Sequence, residues 1–166
     1  DWLMWRGGYE NWGYSPLTEI NHDNVDQLRL AWSWEFAPAA PGSNGMQVEP
    51  TVYDGVIYIR HSNEKYSAHN AATGDLIWQY SRTLAAEVAG YETRLTVHRG
   101  RGVFIYEDKL ISHSTDGMLF ALNPRDGSLI WEVAMQDFRS GQQPSGAPAA
   151  YGGSLVVPYK CTAWTA

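Results

Sequence analysis

One phrase occurs twice in this sequence with the same internal spacing, and it constrains the fold more than any other feature. ATGDLIWQY covers positions 72–80 and RDGSLIWEV covers 125–133, so that their tryptophans lie 53 positions apart. The same offset separates the other members of the pattern A-x-N-x-x-x-G-x-x-x-W. A chain that repeats one pattern at a fixed period repeats one structural unit.

Each copy lies within a run of β patterns. Apolar residues alternate on both sides of Asp54-Gly55 in the stretch 50–61, which predicts a hairpin because this dipeptide readily adopts positive φ angles. Two more strands are predicted at 65–70 and 75–80, joined by the turn AATG. The second copy follows the same order over 103–133. Each copy is therefore predicted to be a four-stranded antiparallel sheet.

A third unit opens at 146–159, where Pro148 takes the place of Pro50 and Gly152-Gly153 forms the hairpin. Four-stranded units of about 40 to 55 residues are typical of β-propeller blades. We therefore predict an all-β chain that forms a partial β-propeller, the N-terminal portion of a larger ring. The predicted parts of this single segment, 1–166, are an N-terminal closure region at 1–36, a first blade at 47–82, a second blade at 98–135 and a truncated third blade at 145–166.

The stretch before the first blade is predicted to close the ring. Residues 28–36 alternate like a strand, and Leu30 with Trp32 resembles the Leu-x-Trp pairs of the two repeats, yet no first three strands precede them. The stretch is therefore predicted to be a fourth strand without its blade, paired with strands from the C-terminal end of the ring. A short helix is predicted near 24–28.

The repeated residues are predicted to be structural. In each copy the glycine allows positive φ in the turn, and the tryptophan presents a large flat surface to the neighbouring blade. The structural set predicted in this way comprises Ala68, Gly74, Trp78, Ala121, Gly127 and Trp131.

Composition excludes several classes of function. A formal net charge of −6 argues against a nucleic-acid partner or an anionic membrane surface. Cys161 is the only cysteine, so the chain closes no internal disulfide and has no covalent haem motif. The five histidines show no paired ligand spacing and are predicted to be surface or strand residues. Because the chain starts at Asp1, we expect a processed or trimmed product.

The repeat and the N-terminus together resemble one enzyme family. A-x-N-x-x-x-G-x-x-x-W is similar to the tryptophan-docking motif of the eight-bladed quinoproteins, the pyrroloquinoline quinone (PQQ)-dependent alcohol dehydrogenases. The stretch DWLMWRGGYENWGYSPLTEINHDNVDQLRLAW resembles the N-terminal signature of that family, except that Arg6-Gly7 reverses its usual order. MQVEP, GDLIWQYSRTL and YKCTAW look most like the sorbose/sorbosone and polyvinyl-alcohol dehydrogenase branch.

The resemblance implies three cofactor-binding residues. Arg101 matches an arginine that binds the carboxylate or quinone oxygens of PQQ. Gln47 stands where methanol-type enzymes place a glutamate that contacts the cofactor, and Ser145 matches a threonine that contacts it. Leu95 and Thr96 stand where methanol-type enzymes carry adjacent cysteines, so that their vicinal disulfide cannot form.

The resemblance leaves the metal site incomplete. Methanol-type enzymes ligate calcium through a glutamate near the position that Ala163 occupies here. Calcium is therefore expected only from the family, and no metal ligand is assigned in this chain. Cys161 matches a cysteine of the sorbosone-type branch. No catalytic residue is assigned, since the catalytic aspartate and the other ligands are expected beyond Ala166.

Two functions remain open from the sequence. In the first, the chain is part of an oxidoreductase that oxidises alcohols, polyols or related aldehydes by hydride transfer to bound PQQ. Its partners would be a small alcohol or polyol and an electron acceptor such as cytochrome c or a quinone, and the family implies a periplasmic location. In the second, the chain belongs to a non-catalytic propeller scaffold of the outer-membrane assembly type. Arg101 favours the first function and Ala163 favours the second.

Overall fold

The computed structural model describes residues 1–8, 10–35, 48–61, 64–84, 87–88, 102–140, 142–144 and 146–161. Nearly all regular structure in these ranges is β. The strands are β1 (Thr51–Tyr53), β2 (Val56–Arg60), β3 (Lys65–Asn70), β4 (Leu76–Ser81), β5 (Phe104–Tyr106), β6 (Lys109–His113), β7 (Met118–Leu122), β8 (Leu129–Ala134), β9 (Gln142–Pro144), β10 (Ala149–Tyr151), β11 (Ser154–Val156) and β12 (Tyr159–Cys161). Single turns of 3-10 helix lie at Val25–Gln27 and Phe138–Ser140.

Two four-stranded antiparallel sheets dominate the structure. Their orders, β1-β2-β3-β4 and β5-β6-β7-β8, follow the sequence, so that each strand is joined to its neighbour by a short turn. We call them the first and second blades. This arrangement confirms the prediction of an all-β chain built from four-stranded antiparallel units. The predicted ranges 47–82, 98–135 and 145–166 stay predictions, because each includes residues outside the described part of the chain.

The turns follow from local sequence. Asp54 and Gly55 have φ angles of 49° and 74°, which is the left-handed conformation that a tight hairpin requires. Gly152 and Gly153 have φ angles of 56° and 77° between β10 and β11. These two hairpins lie where the sequence predicts them, because glycine beside aspartate or a second glycine readily adopts positive φ angles.

The two blades share an irregularity as well as a sequence pattern. The register between the third and fourth strands shifts after Ala68 in the first blade and after Ala121 in the second. Ala68 lies opposite Trp78, and Ala121 lies opposite Trp131. The repeated alanine is therefore the cross-strand neighbour of the repeated tryptophan, where a small side chain leaves room for the indole.

The prediction of a strand at 28–36 is wrong for the described residues 28–35, which belong to no strand. The physical reason is that a strand needs a hydrogen-bonded neighbour, and this one was expected to pair with strands from the far end of a closed ring. The 3-10 helix Val25–Gln27 agrees with the short helix predicted near 24–28.

The principal core fills the space between the blades. Its buried members are Tyr58, Tyr66, Ala68, Trp78, Val103, Ile105, Leu110, Phe120 and Leu122. The first strand of each unit, namely β1, β5 or β10, is called its inner strand. The N-terminus runs along the inner strands β1 and β5 beside this core. Trp2 pairs with Val52 of β1, and the Ile105 amide of β5 donates to the Leu3 carbonyl at 2.9 Å. In the parts of the chain that are described, no helix has the length and apolar character needed to span a membrane.

Candidate cofactor site

The segments that precede the inner strands form one end of the blades, which we call the site end. These segments are residues 48–50 before β1, 102–103 before β5 and 146–148 before β10. Because neighbouring strands are antiparallel, the turns from β2 to β3 and from β6 to β7 lie at this same end. The Asp54-Gly55 hairpin and the turns that end at Gly74 and Gly127 lie at the opposite end.

Direct contacts bring these segments together. The buried Thr51 hydroxyl donates to the Val103 carbonyl at 2.6 Å. A Cβ added to Gly102 would lie 3.2 Å from the Glu49 carbonyl oxygen, so that the first two segments touch. Nε2 of His113 lies 2.8 Å from the Gly146 carbonyl oxygen and links the second blade to the third segment.

The predicted cofactor-binding residues are the sequence neighbours of these segments. Gln47, Arg101 and Ser145 lie outside the described residues, but each is bonded directly to a described residue of the site end, namely Val48, Gly102 and Gly146. The described backbone thus brings the three attachment points to one end of the blades. Ala163 also lies outside the described residues, and Cys161 ends β12.

A buried polar cluster lies behind the site end and contains Arg60, Glu64, Tyr66, Ser112, His113 and Thr115; we call it the Arg60 cluster. Arg60 is 3% exposed and Glu64 is 4% exposed. Nη2 of Arg60 donates to both carboxylate oxygens of Glu64, at 3.0 and 3.1 Å. The cluster therefore contains an ion pair that is almost completely removed from water.

Glu64 also binds the second blade. Its Oε1 accepts hydrogen bonds from the Thr115 amide at 3.1 Å and the Thr115 hydroxyl at 2.6 Å. The Tyr66 hydroxyl donates to Oε2 at 3.1 Å and accepts from the Ser112 hydroxyl at 3.3 Å. The buried carboxylate is thus compensated by several donors, which a charge at this depth requires.

Burial and neighbouring charges shift the pKa of Arg60 upwards and the pKa of His113 downwards. Burial by itself would lower the pKa of Arg60, but the charge of Glu64 and the contact with Tyr66 raise that pKa above its ordinary value. Burial, and then the charge of Arg60, lower the pKa of His113 to about 4. At neutral pH Arg60 is therefore charged and the His113 imidazole is neutral.

Both neighbours of His113 agree with one tautomer, in which Nε2 carries the ring proton and donates it to the Gly146 carbonyl. Nη1 of Arg60 lies 3.5 Å from Nδ1 of His113, and a guanidinium can only donate. Nδ1 must therefore accept, which leaves the single ring proton on Nε2, where it is donated to the Gly146 carbonyl. The imidazole is thus oriented from both sides.

The Arg60 cluster was not predicted from the sequence. The signal that could have found it is the alternation of β2, because Arg60 lies two positions after the buried Tyr58 and so on the same strand face. Glu64 follows four positions later. An arginine on an apolar strand face with a nearby carboxylate indicates a buried ion pair, although its partners in the second blade cannot be read from that pattern.

The repeated tryptophans and glycines lie at the junctions between units. Nε1 of Trp78 donates to the Pro124 carbonyl at 2.8 Å, and a Cβ on Gly127 would lie 2.6 Å from the Trp78 ring. Trp32 packs on the first blade in the same way. It donates to the Ala71 carbonyl at 3.0 Å, and a Cβ on Gly74 would lie 2.7 Å from its ring. Trp131 is half-buried, and Ala68 and Ala121 are fully buried.

Arg60 would not supply the positive charge that an anionic quinone at the site end requires. Arg60 is already neutralised by Glu64, so the positive charge that carboxylates need has to come from elsewhere. Gly102, the residue bonded to Arg101, lies against the first segment, because a Cβ added to it would be 3.2 Å from the Glu49 carbonyl oxygen. Among the residues that the structure describes, no group of three or more histidine, cysteine, aspartate or glutamate side chains could hold a metal ion.

Comparison with known proteins identifies the family. Residues 2–138 match the model of the beta-propeller domain of PQQ-type glucose/ethanol/alcohol dehydrogenases. This chain belongs to that family.

Individual relatives agree with this assignment. The chain is 32% identical over 163 residues to the dehydrogenase subunit of the quinone-linked alcohol dehydrogenase of Gluconobacter oxydans, covering 95% of this chain and 21% of that protein. It is 32% identical over 148 residues to the quinoprotein ethanol dehydrogenase of Pseudomonas aeruginosa, covering 89% of this chain and 23% of that protein.

Among solved structures, quinohemoprotein alcohol dehydrogenase ADHIIG of Pseudomonas putida superposes with a TM-score of 0.83 at 30% identity, covering 96% of this chain and 22% of that one. The chain thus spans between a fifth and a quarter of the length of these three proteins. The closer resemblance to the sorbose/sorbosone branch stays a prediction.

Proposed function

We propose that this chain supplies N-terminal blades of a larger quinoprotein dehydrogenase that oxidises alcohols, polyols or related aldehydes. The observation that carries the proposal is the convergence of residues 48–50, 102–103 and 146–148 at one end of blades that belong to the PQQ family. The chain's relatives are alcohol dehydrogenases, and a ring of blades places such segments around a central channel.

The chain's own residues would bind and orient the cofactor. When bound, PQQ supplies the acceptor for the hydride that leaves the substrate carbon. Arg101 would donate charge-assisted hydrogen bonds to its carboxylate or quinone oxygens, because a guanidinium is permanently charged and carries several donors. Gln47 would hydrogen-bond without adding charge, and the Ser145 hydroxyl would donate or accept at the third segment.

Other parts of the site would come from beyond these blades. Calcium is expected from the family, but the glutamate position near Ala163 carries no carboxylate, so its ligands would lie elsewhere. The electron acceptor would be a cytochrome c or a quinone, and the proposed location is the periplasm.

Equilibrium binding of PQQ to the complete apoprotein tests the role of Arg101. Arg101→Ala should weaken binding by about 1.5–3 kcal/mol, the usual contribution of a hydrogen bond to a charged group. Arg101→Lys should restore only part of this, because lysine keeps the charge but loses the planar fork. The measurement is a fluorescence titration with and without added calcium, followed by dye-linked alcohol oxidation.

Arg125→Ala is the matched control, because Arg125 is an exposed arginine in the turn between β7 and β8 at the opposite end of the blade. It should leave the affinity unchanged. A parent protein that binds no PQQ and oxidises no alcohol under any metal condition would refute the enzyme and favour the scaffold function instead.

A further inference from the structure

We propose that His113 is a positioning residue for the cofactor site, held by the Arg60–Glu64 pair so that it fixes the Gly146 backbone ahead of the third inner strand. The inference rests on the proposed function, because it concerns the geometry of the same site. It adds a residue from outside the segments that would contact the cofactor.

The Arg60 cluster joins three successive units. Arg60 and Glu64 belong to the first blade, His113 and Thr115 belong to the second, and Gly146 precedes the inner strand β10 of the third unit. A hydrogen bond to a backbone carbonyl fixes the chain itself rather than one side chain. The position of Gly146 relative to the first two blades is therefore tied to His113.

The Arg60–Glu64 pair is better suited to orienting the His113 imidazole than to stabilising the folded protein. Replacing a buried ion pair with well-packed apolar residues is often neutral or stabilising, so a buried pair is weak evidence for a stabilising role. Here the guanidinium donates to Glu64 through Nη2 and faces His113 through Nη1. The guanidinium therefore lies on the Nδ1 side of the imidazole, where it favours the tautomer that donates from Nε2 to Gly146.

Gly146 is the sequence neighbour of a predicted cofactor contact. Gly146 is bonded to Ser145, which the sequence analysis assigns to cofactor binding, and it lies three positions before β10. Binding groups must be held within a fraction of an ångström to be effective, and a shift of about 1 Å costs a large factor. Because burial keeps the pKa of His113 low, the imidazole remains neutral and its donor direction is constant at neutral pH.

Two substitutions at position 113 separate positioning from packing. His113→Asn keeps an acceptor near Nδ1 for Arg60 but is too short to reach the Gly146 carbonyl. His113→Gln extends to the region of Nε2 and can still donate there. In the complete apoprotein, His113→Asn should raise the Kd for PQQ about ten-fold, the effect of one hydrogen bond, and His113→Gln should stay within about three-fold of the parent.

His69→Asn is the control for simple loss of a buried histidine. His69 is buried in β3, and its Nδ1 lies 3.1 Å from the Gly74 carbonyl oxygen at the opposite end of the first blade. This variant should lower the melting temperature but leave the Kd for PQQ within about two-fold. Hydrogen exchange of the amides in 146–150 should accelerate in His113→Asn and not in His69→Asn.

The outcomes distinguish this inference from the proposed function. If the parent binds PQQ and His113→Asn binds it equally well, His113 does not position the site and the inference is overturned. Equal losses in His113→Asn and His69→Asn would also overturn it, because they would show a general effect of stability. If the parent binds no PQQ, the proposed function fails first and the inference fails with it.

Discussion

The chain contains two successive junctions between units, and the repeated tryptophan is buried to a different extent at each. Between the first and second blades, Trp78 is 7% exposed, donates its indole N–H to Pro124 and packs against Gly127. Between the second blade and the third unit, Trp131 is only half-buried. The sequence around the two tryptophans is nearly identical, so the difference does not arise from their own strands.

The difference lies in what each tryptophan meets. Trp78 meets the turn at Asn123–Gly127, which supplies a backbone carbonyl and a glycine without a Cβ. Trp32 meets the equivalent turn of the first blade in the same way. Among the described residues, Trp32 packs on the turn at 71–75 and Trp78 packs on the turn at 123–127. Burial of the repeated tryptophan is therefore set by the following blade.

The second junction is held by other contacts. Half-buried Ala150, Leu155 and Val157 of the third unit pack against the cluster that contains Phe104 and Ile111. The Gly153 amide donates to the Tyr106 hydroxyl at 3.2 Å, and His113 bonds to Gly146. These contacts all come from the inner half of the blade, next to β5 and β6. The outer half, near Trp131, is the part that differs from the first junction.

The largest expected effect comes from emptying the two tryptophan sites. In the complete protein, where a following blade is expected for both, Trp78→Ala and Trp131→Ala should each lower the free energy of unfolding by about 3–5 kcal/mol, the usual range for a large buried aromatic. Denaturant unfolding measures both. A loss below about 1 kcal/mol for Trp131→Ala alone would mean that the two repeats are not equivalent.

A smaller effect is expected when the turn, and not the tryptophan, is changed. Gly127→Ala introduces a Cβ at φ +72°, 2.6 Å from the Trp78 ring, whereas Gly55→Ala introduces one at φ +74° with nothing within 4 Å. Both should lose about 1–2 kcal/mol through the left-handed backbone, and Gly127→Ala about 1–3 kcal/mol more through overpacking. Equal losses in thermal or denaturant unfolding would show that Trp78 does not pack on this turn.

A pH dependence is also expected at the second junction. The pKa of His113 is about 4 in the folded protein against an ordinary value of 6.5, so only the unfolded chain takes up this proton between those values. Stability from His113 is therefore fully present above about pH 6.5 and is lost as the pH falls towards 4.

Comparison with His113→Gln isolates this contribution. The variant should lose less stability than the parent when the pH is lowered from 7 to 4, as measured by denaturant unfolding at each pH. His61, whose pKa burial also lowers to about 4, should leave a residual slope in both proteins. Parallel curves for the parent and the variant would contradict the buried, neutral state of His113.

Much of the fold could be predicted because the signals are local. Alternating residues and the Asp54-Gly55 turn define β1 and β2 without reference to the rest of the chain. The pairing of β9 with β12 was not predicted, because Gln142–Pro144 has no strand pattern and its partner lies well downstream. The strand expected at 28–36 was not found over 28–35, because its partner is not specified by the local sequence.

The candidate site, like the fold, could be predicted from the sequence only where the signals are local. The segments that adjoin Gln47, Arg101 and Ser145 come together because each precedes an inner strand, and that order can be read from the repeat. The identity of those residues as cofactor contacts came from the family resemblance and stays a prediction. The Arg60 cluster depends on contacts between blades, which no local pattern specifies.

The central claim is that this chain contributes one side of a PQQ site in a larger propeller. The most direct measurement is an equilibrium titration of the complete apoprotein with PQQ, carried out beside the same titration of residues 1–166 alone. The account predicts saturable binding of one quinone per complete protein and little or no binding to the isolated chain, which supplies only some of the contacts. Equal binding by both, or no binding by the complete protein, would contradict it.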